Sequence, residues 1–246
     1  MAESTLALGR TDLRSQIAVF LGYSRTSTDW STEQGAKIDQ ALNEGTAKFY
    51  NEREWSFLSP STTQTCTAGD YAYDLSDDFG GMREDFYFAA DKTYRALKPR
   101  SVGFIRQQIA LSDSSGIPQF YAVNPKSQTG VTGTRWEALF YPPPNAAFVF
   151  TYRYTVLRDA LSASYPYPAG SAATRNAILW ACLSAADALF NDSQGLAETR
   201  YQDYLRQAMD FDGRLSPTNL GKLQDTSAEA STQTPGYYST YDGSTG

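Results

Sequence analysis

The chain has 246 residues, 41% of them hydrophobic, with a formal net charge of -6 and no histidine. So much apolar sequence builds a real core, as one large domain or two small ones, and excludes disorder of the whole chain. Lack of histidine removes Ser-His and Cys-His nucleophile systems and His-containing zinc sites, and the acidic balance argues against a protein that grips DNA phosphates, though not against a wall past which DNA slides.

The first residues, MAESTLALGRTDLRSQ, lack the basic start and unbroken apolar run of a secretory signal, and no stretch approaches the ~18 apolar residues of a membrane span. The expectation is a soluble protein made in a cytosol. Cys66 and Cys182 fall in segments of different texture and read as ordinary packed thiols, with neither a disulfide framework nor a CxxC metal site.

In chain order, TDLRSQIAVFL (Thr11 to Leu21) spaces Leu13, Ile17, Phe20 and Leu21 as the apolar stripe of a helix that Gly22 stops. A second helix opens with Ser31 and Gln34 in capping-box spacing and carries Ile38, Ala41, Leu42, Gly45 and Phe49 on one face. Gly45 on that stripe suits the close approach of a neighbouring helix. After Trp55 the texture turns to Thr, Tyr, Phe, Gly and Pro until Pro168, which marks an inserted β region. Its predicted strands are Thr62 to Thr67, Tyr71 to Leu75, Glu84 to Ala89, Tyr94 to Lys98, Gln119 to Asn124, Thr134 to Tyr141 and Ala147 to Thr155. Short strands at this spacing suggest a sandwich or small barrel. Between them, SVGFIRQQIALSDSSG has Phe104, Gln108 and Leu111 at helical spacing and suggests a short helix.

The last two predicted strands form a hairpin in this reading, joined by Pro142, Pro143, Pro144 and Asn145. Prolines restrict the turn before folding begins, and Phe148, Phe150, Tyr152 and Tyr154 share one face of the second strand. Helical period returns in AILWACLSAADALFND, with stripes Ile178, Cys182, Ala185, Leu189 and Leu179, Leu183, Ala186, Phe190, an arc wide enough for a helix buried between others. A narrower stripe, Tyr201, Leu205 and Ala208, follows, with Gly213 as its expected stop. From Lys222 onward the chain is Ser/Thr/Gly-rich and cannot bury itself. The expected fold is α+β: a bundle of about four helices (1–58 and 168–221), an inserted antiparallel β domain (59–167) and an extended C-terminal tail (222–246). In that tail Tyr237, Tyr238 and Tyr241 offer contact area at low entropic cost.

The densest acidic cluster holds Asp70, Asp74, Asp77, Asp78, Glu84 and Asp85, the residue type of glycoside hydrolases and calcium sites. Counted as an EF-hand loop from Asp74 it fails, because Phe79 stands where glycine is required and Asp85 where a bidentate glutamate belongs. Acidic turn residues are mostly solvated, and that is the preferred reading. Scattered glycines form no phosphate cradle, alternation already explains the hairpin aromatics as β core, and Arg14, Arg25, Arg53, Arg100 and Arg106 read as exposed or interfacial charges. No metal or cofactor is expected.

The order of DLRSQIAVFLGY, IDQALNEGTAKFYNEREWSFL, YAYDLSDDFGGM, FYPPPNAAFVFTYRY, AILWACLSAADALFND and RYQDYLRQAMDFDGR resembles the head-to-tail adaptor proteins of tailed bacteriophages, from Leu13 to about Asp225. A Tyr-x-Leu-Pro-x-Asp-Phe element of that family appears here as Tyr73 to Phe79 without its proline. The resemblance implies a structural virion protein at the head-tail interface, made in the cytoplasm of a bacterial host. It also implies a homo-oligomeric ring, commonly twelvefold, with the portal on one side and tail, nozzle or neck proteins on the other. Genomic DNA would pass through without specific binding. Candidate partner contacts are Tyr237, Tyr238, Tyr241 and the rigid turn Pro142, Pro143, Pro144 and Asn145. The alternative is a virion-associated glycan-binding or glycan-hydrolysing protein that uses the acids between Asp74 and Asp85 with Tyr and Trp faces.

Overall fold

A computed structural model describes residues 3–89, 94–112, 114–131, 133–191 and 195–215. The tail and its three tyrosines lie outside the described residues. Among the described residues there are five α-helices: α1 (Arg10–Phe20), α2 (Thr32–Asn51), α3 (Val102–Leu111), α4 (Ser171–Ala186) and α5 (Leu196–Leu215). Seven strands are described: β1 (Ser61–Cys66), β2 (Ala72–Asp74), β3 (Phe79–Phe88), β4 (Lys98–Pro99), β5 (Phe120–Thr129), β6 (Gly133–Tyr141) and β7 (Phe148–Val156). The fold is α+β, as expected.

Four helices, α1, α2, α4 and α5, share one core built on Leu13, Ile17, Ile38, Leu42, Phe49, Ile178, Cys182, Tyr201 and Leu205. Local chemistry sets their ends. Leu21 caps α1 and Gly22 follows at φ 76°, so the amides of Gly22 and Tyr23 donate to Val19 and Ala18 O at 3.1 and 2.8 Å, a Schellman closure. Ser31 and Gln34 form the expected capping box of α2. Gly45 is the contact between α2 and α4, since a Cβ there would sit 2.3 Å from Cys182 Cα.

Three helical expectations are corrected. Phe20 is exposed, and Ala18 takes the buried place beside Leu13 and Ile17. Leu189 is also exposed, because Asp187–Asn191 forms a π-helical turn that rotates the end of α4 out of its earlier register. Gly213 does not end α5, which runs on to Leu215.

The β region is a sandwich. One sheet has the order β1-β7-β3 and the other β2-β6-β5-β4. Phe86, Phe140, Phe150, Tyr121, Tyr152 and Tyr154 fill the space between them. Phe86 sits at the centre, 4.6 to 6.3 Å from the rings of Tyr121, Phe140, Phe150 and Tyr152, in the edge-on and tilted geometries that aromatic quadrupoles favour.

The expected hairpin is not there. β6 and β7 belong to different sheets, so the proline segment is a crossover that carries the chain from one layer to the other. β7 alternates as predicted, but alternation reports which face is buried and says nothing of which strand is the neighbour. Pairing is also not wholly antiparallel, for β4 runs parallel to β5. The strand expected at Tyr94 to Lys98 shrinks to those two residues, after Leu97 donates its amide to Phe86 O at 2.9 Å.

Alone among the helices, α3 belongs to the β region. Ile105 packs with Ala122 and Leu139 on the outer face of the four-stranded sheet. Ala138 and Phe140 face the sandwich core while Leu139 lies under α3, and this makes three consecutive residues of β6 buried.

Candidate assembly surfaces

The two cores meet at Trp55-Ser56-Phe57-Leu58. Trp55 is fully buried, stacked 4.6 Å from Phe49 and 5.3 Å from Phe57, and its indole N–H donates to Phe49 O at 3.0 Å. Asp212 on α5, only 1% exposed, accepts from the Ser56 amide at 3.1 Å and from its hydroxyl, and Arg53 lies 3.6 Å away. Burying that carboxylate is tolerable because every contact to it is a donor. From the β side, Arg153 Nε donates to Ser59 O at 3.0 Å, and Arg83 pairs with Glu54. The sequence thus places a hydrogen-bonded joint between bundle and sandwich.

Beside the joint runs a groove of about 410 Å³ lined by Tyr50, Arg53, Trp55, Leu58, Val156 and Leu157. The connection from β7 to α4 begins at the wall of this groove, and it carries three exposed apolar side chains: Leu157 is 60% exposed, Tyr165 70% and Tyr167 50%. Its path is pinned, since the Arg10 amide donates to Pro166 O at 2.6 Å and the Ala169 amide to the Tyr50 hydroxyl at 2.9 Å. Sequence reasoning passed over this segment because it has neither helical nor strand period. Its signal is the repeated Tyr-Pro of Tyr165 to Pro168, aromatic rings on an extended backbone that cannot fold back into a helix.

The predicted turn residues occupy a different setting from a protruding tip. Pro143 and Pro144 are buried and Asn145 is exposed. Pro143 O accepts from the Gly116 amide at 2.8 Å, Pro144 O from the Gly69 amide at 2.8 Å, and the Asn145 amide donates to Gly116 O at 3.0 Å. With a cis Tyr141-Pro142 peptide, the segment is a strap laced to loops on both sides, and only Asn145 to Ala147 face solvent.

Each predicted acid has a partner. Asp74 meets Lys126 at 2.6 Å, Asp77 pairs with Arg135, and Glu84 pairs with Arg153 at 2.8 Å. Asp78 accepts from Tyr154, Asp85 from Tyr121 at 2.7 Å and Asp70 from Thr67 at 2.7 Å. Among the described residues no three metal-ligating side chains cluster. The acids stitch strands together rather than converge on a common point. Burial, and then the Asp85 hydrogen bond, push the Tyr121 hydroxyl well above its usual range. Burial likewise pushes the thiols of Cys66 and Cys182 to about 12, so both are protonated at neutral pH and poor nucleophiles.

In the bundle, Lys48 of α2 reaches Glu198 of α5 at 2.6 Å and Ser184 of α4 at 3.0 Å, and Gln202 also donates to Glu198 at 2.9 Å. Burial acts to raise the Glu198 carboxyl, but the hydrogen bonds from Lys48, Ser184 and Gln202 and the Lys48 charge prevail and hold it at about 2. The network locks three helices together. Among the described residues no helix is long and apolar enough to cross a membrane.

These features describe an α+β protein in which a helical core and a sandwich core are joined through the Trp55 to Ser59 segment by hydrogen bonds from both sides. A family model described as SU10 adaptor protein matches residues 10–243, and the chain belongs to that family. It is a head-to-tail adaptor of tailed bacteriophages, a structural component of the phage particle. No curated protein matches the chain.

Proposed function

We propose that this adaptor assembles into a closed ring, on the order of twelve copies, that seats on the portal and passes its other face to tail, nozzle or neck components. The observation that carries the reading is the pinned apolar display of Leu157, Tyr165 and Tyr167 on a chain of an adaptor family. Exposed aromatics on a rigid path lose little freedom on binding, which makes them effective anchors. Identical subunits related by rotation present such a patch to a different patch on the next copy, a heterologous contact that closes. Repetition around the ring lets contacts of modest strength suffice. The net charge of -6 suits a conduit that repels phosphate and lets DNA pass without adhesion. Asn145 at the strap, and Tyr237, Tyr238 and Tyr241 in the tail, are proposed as further contacts to the portal or to neighbouring copies. The role is assembly, not catalysis.

Electron microscopy and native mass spectrometry of the purified chain mixed with its portal protein provide the test. A ring seated on the portal is the expected result. A chain that stays monomeric and ignores the portal refutes the proposal.

A further inference from the structure

Two sheets have four edges, and three of these are blunted. β2 has three residues; β4 has two, one of them Pro99. β3 carries Arg83, Glu84 and Asp85, its register against β7 breaks three times, and the Leu97 amide donates to Phe86 O along its outer side. Short length, charge, bulges and covering segments are how proteins prevent a sheet from growing. β1 has none of these. It reads STTQTC, without charge, proline or bulge, in unbroken register with β7.

The direction of its amides follows from its neighbours. Ala89 donates to Val149 O, so the odd residues of β7 turn their backbone groups toward β3, and Phe148, Phe150 and Tyr152 turn theirs toward β1. Those three pair with Cys66, Gln64 and Thr62. Ser61, Thr63 and Thr65, all exposed, therefore direct their N–H and C=O groups away from the sheet, where Thr65 O accepts from the Gln64 side-chain amide at 3.3 Å. Thr65 stands opposite Val149, which is 40% exposed and gives an apolar seat on the outer face beside this edge.

The geometry points to β1 as an acceptor for an added strand, and to residues Tyr237–Tyr241 of a neighbouring copy as the strand that fills it. The sequence YYSTY is uncharged and alternates Tyr237, Ser239, Tyr241 against Tyr238, Thr240, a composition that fits a pleated, half-buried surface. Pro235-Gly236 sets it off from what precedes it. It lies outside the described residues, 22 positions beyond Leu215 at the end of α5, and an extended chain of that length spans roughly 70 Å, enough to reach an adjacent subunit. Backbone pairing supplies affinity, and a tyrosine ring on Val149 and Thr65 supplies register. The choice of a neighbouring copy rests on the ring proposed above.

The experiment uses full-length chain assembled on its portal, with rings counted by electron microscopy in the same samples. Hydrogen exchange is read at residues 61–65 in the wild type and in the double variant Tyr238→Pro, Thr240→Pro. A second variant, Thr63→Cys with Ser239→Cys, is oxidised and run without reductant, and the thermal midpoint of each variant is read alongside. Exchange at least tenfold slower in the wild type than in the proline variant, with a disulfide-linked ladder of copies, is expected. An intact ring whose β1 amides exchange equally fast in both chains overturns the strand addition and leaves the ring standing. A disulfide confined to single chains overturns the assignment to a neighbour. A chain that forms no ring and no ladder overturns both.

Discussion

Two glycines on the same helix are expected to respond to the same substitution with opposite sign. Gly35→Ala on α2 meets nothing within 4 Å, so the variant gains helix propensity, about 1 kcal/mol, at no packing cost. Gly45→Ala gains the same propensity, but its methyl would lie 2.3 Å from Cys182 Cα, 2.5 Å from Cys182 N and 2.8 Å from Ala181 C. All three are backbone atoms, which cannot rotate away, so α2 and α4 must separate by roughly 1 Å and loosen the leucine and isoleucine contacts around them. Overpacking of this kind costs about 1–3 kcal/mol, and contact with backbone puts it at the upper end. The net loss is about 2 kcal/mol. For a chain of this size that lowers the thermal midpoint by ~4–8 °C, while Gly35→Ala raises it by ~2–4 °C. Differential scanning calorimetry of the two variants beside the wild type checks both signs. A Gly45→Ala midpoint equal to or above that of Gly35→Ala would refute the close helix contact.

Further outcomes follow from the joint, the bundle network and the surfaces. Asp212→Ala leaves the Ser56 amide and hydroxyl without their acceptor, so a loss of about 2–3 kcal/mol is expected in urea denaturation. Because Glu198 is held at about 2, below its ordinary 4.5, its contribution is fully present above pH 4.5 and is lost as pH falls toward 2. The stability gap between wild type and Glu198→Gln should therefore be largest near neutral pH and close between pH 4.5 and 2, as thermal melts across that range will show. Asp77→Asn with Asp78→Asn removes one pair to an exposed carboxylate and one tyrosine contact, so stability should change by less than about 1 kcal/mol and ring assembly not at all. A polysaccharide-cleaving activity of the wild type that disappears in this variant would instead establish the glycan reading. Leu157→Ser with Tyr165→Ser should leave the melting midpoint within a degree or two while weakening association by about 2 kcal/mol per contact, measured as a shift of the ring to higher protein concentration.

The helices were legible because each buries one stripe and the stripe recurs at helical spacing. Ile38, Ala41, Leu42, Gly45 and Phe49 record the contact with α4 directly, and Ser31 with Gln34 record the cap. The pattern failed where geometry departed from the period, at the π-helical turn that exposes Leu189. Strands were legible as strands for a similar reason, and Phe148, Phe150, Tyr152 and Tyr154 do share the buried face. Partners were not. A strand's alternation is satisfied by any neighbour that covers the same face, so β6 followed closely by β7 looked like a hairpin although they lie in separate sheets. Of the candidate contact residues, the strap could be named from its prolines, but its burial depends on Gly69 and Gly116, which lie far off in sequence. The Leu157, Tyr165 and Tyr167 display left no periodic trace because no regular element contains it.

The crossover changes what the proline segment can do. A hairpin stiffened by prolines would project a tip that partners grasp; a strap between layers fixes the two sheets against each other. Pro143 and Pro144 offer no amide, yet their carbonyls accept from Gly116 and Gly69 while the Asn145 amide donates back to Gly116 O, so the segment is tied on both sides to loops distant in sequence. Rigidity is then a property of the whole β region. The Trp55 joint, held by Asp212 from the bundle and by Arg153 from β7, extends that rigidity across both cores. A subunit fixed in this way transmits a small angular error at one contact undiminished to the next. In the proposed ring, closure would require each copy to repeat the same angle, so the parts that must not bend would be the joint and the strap.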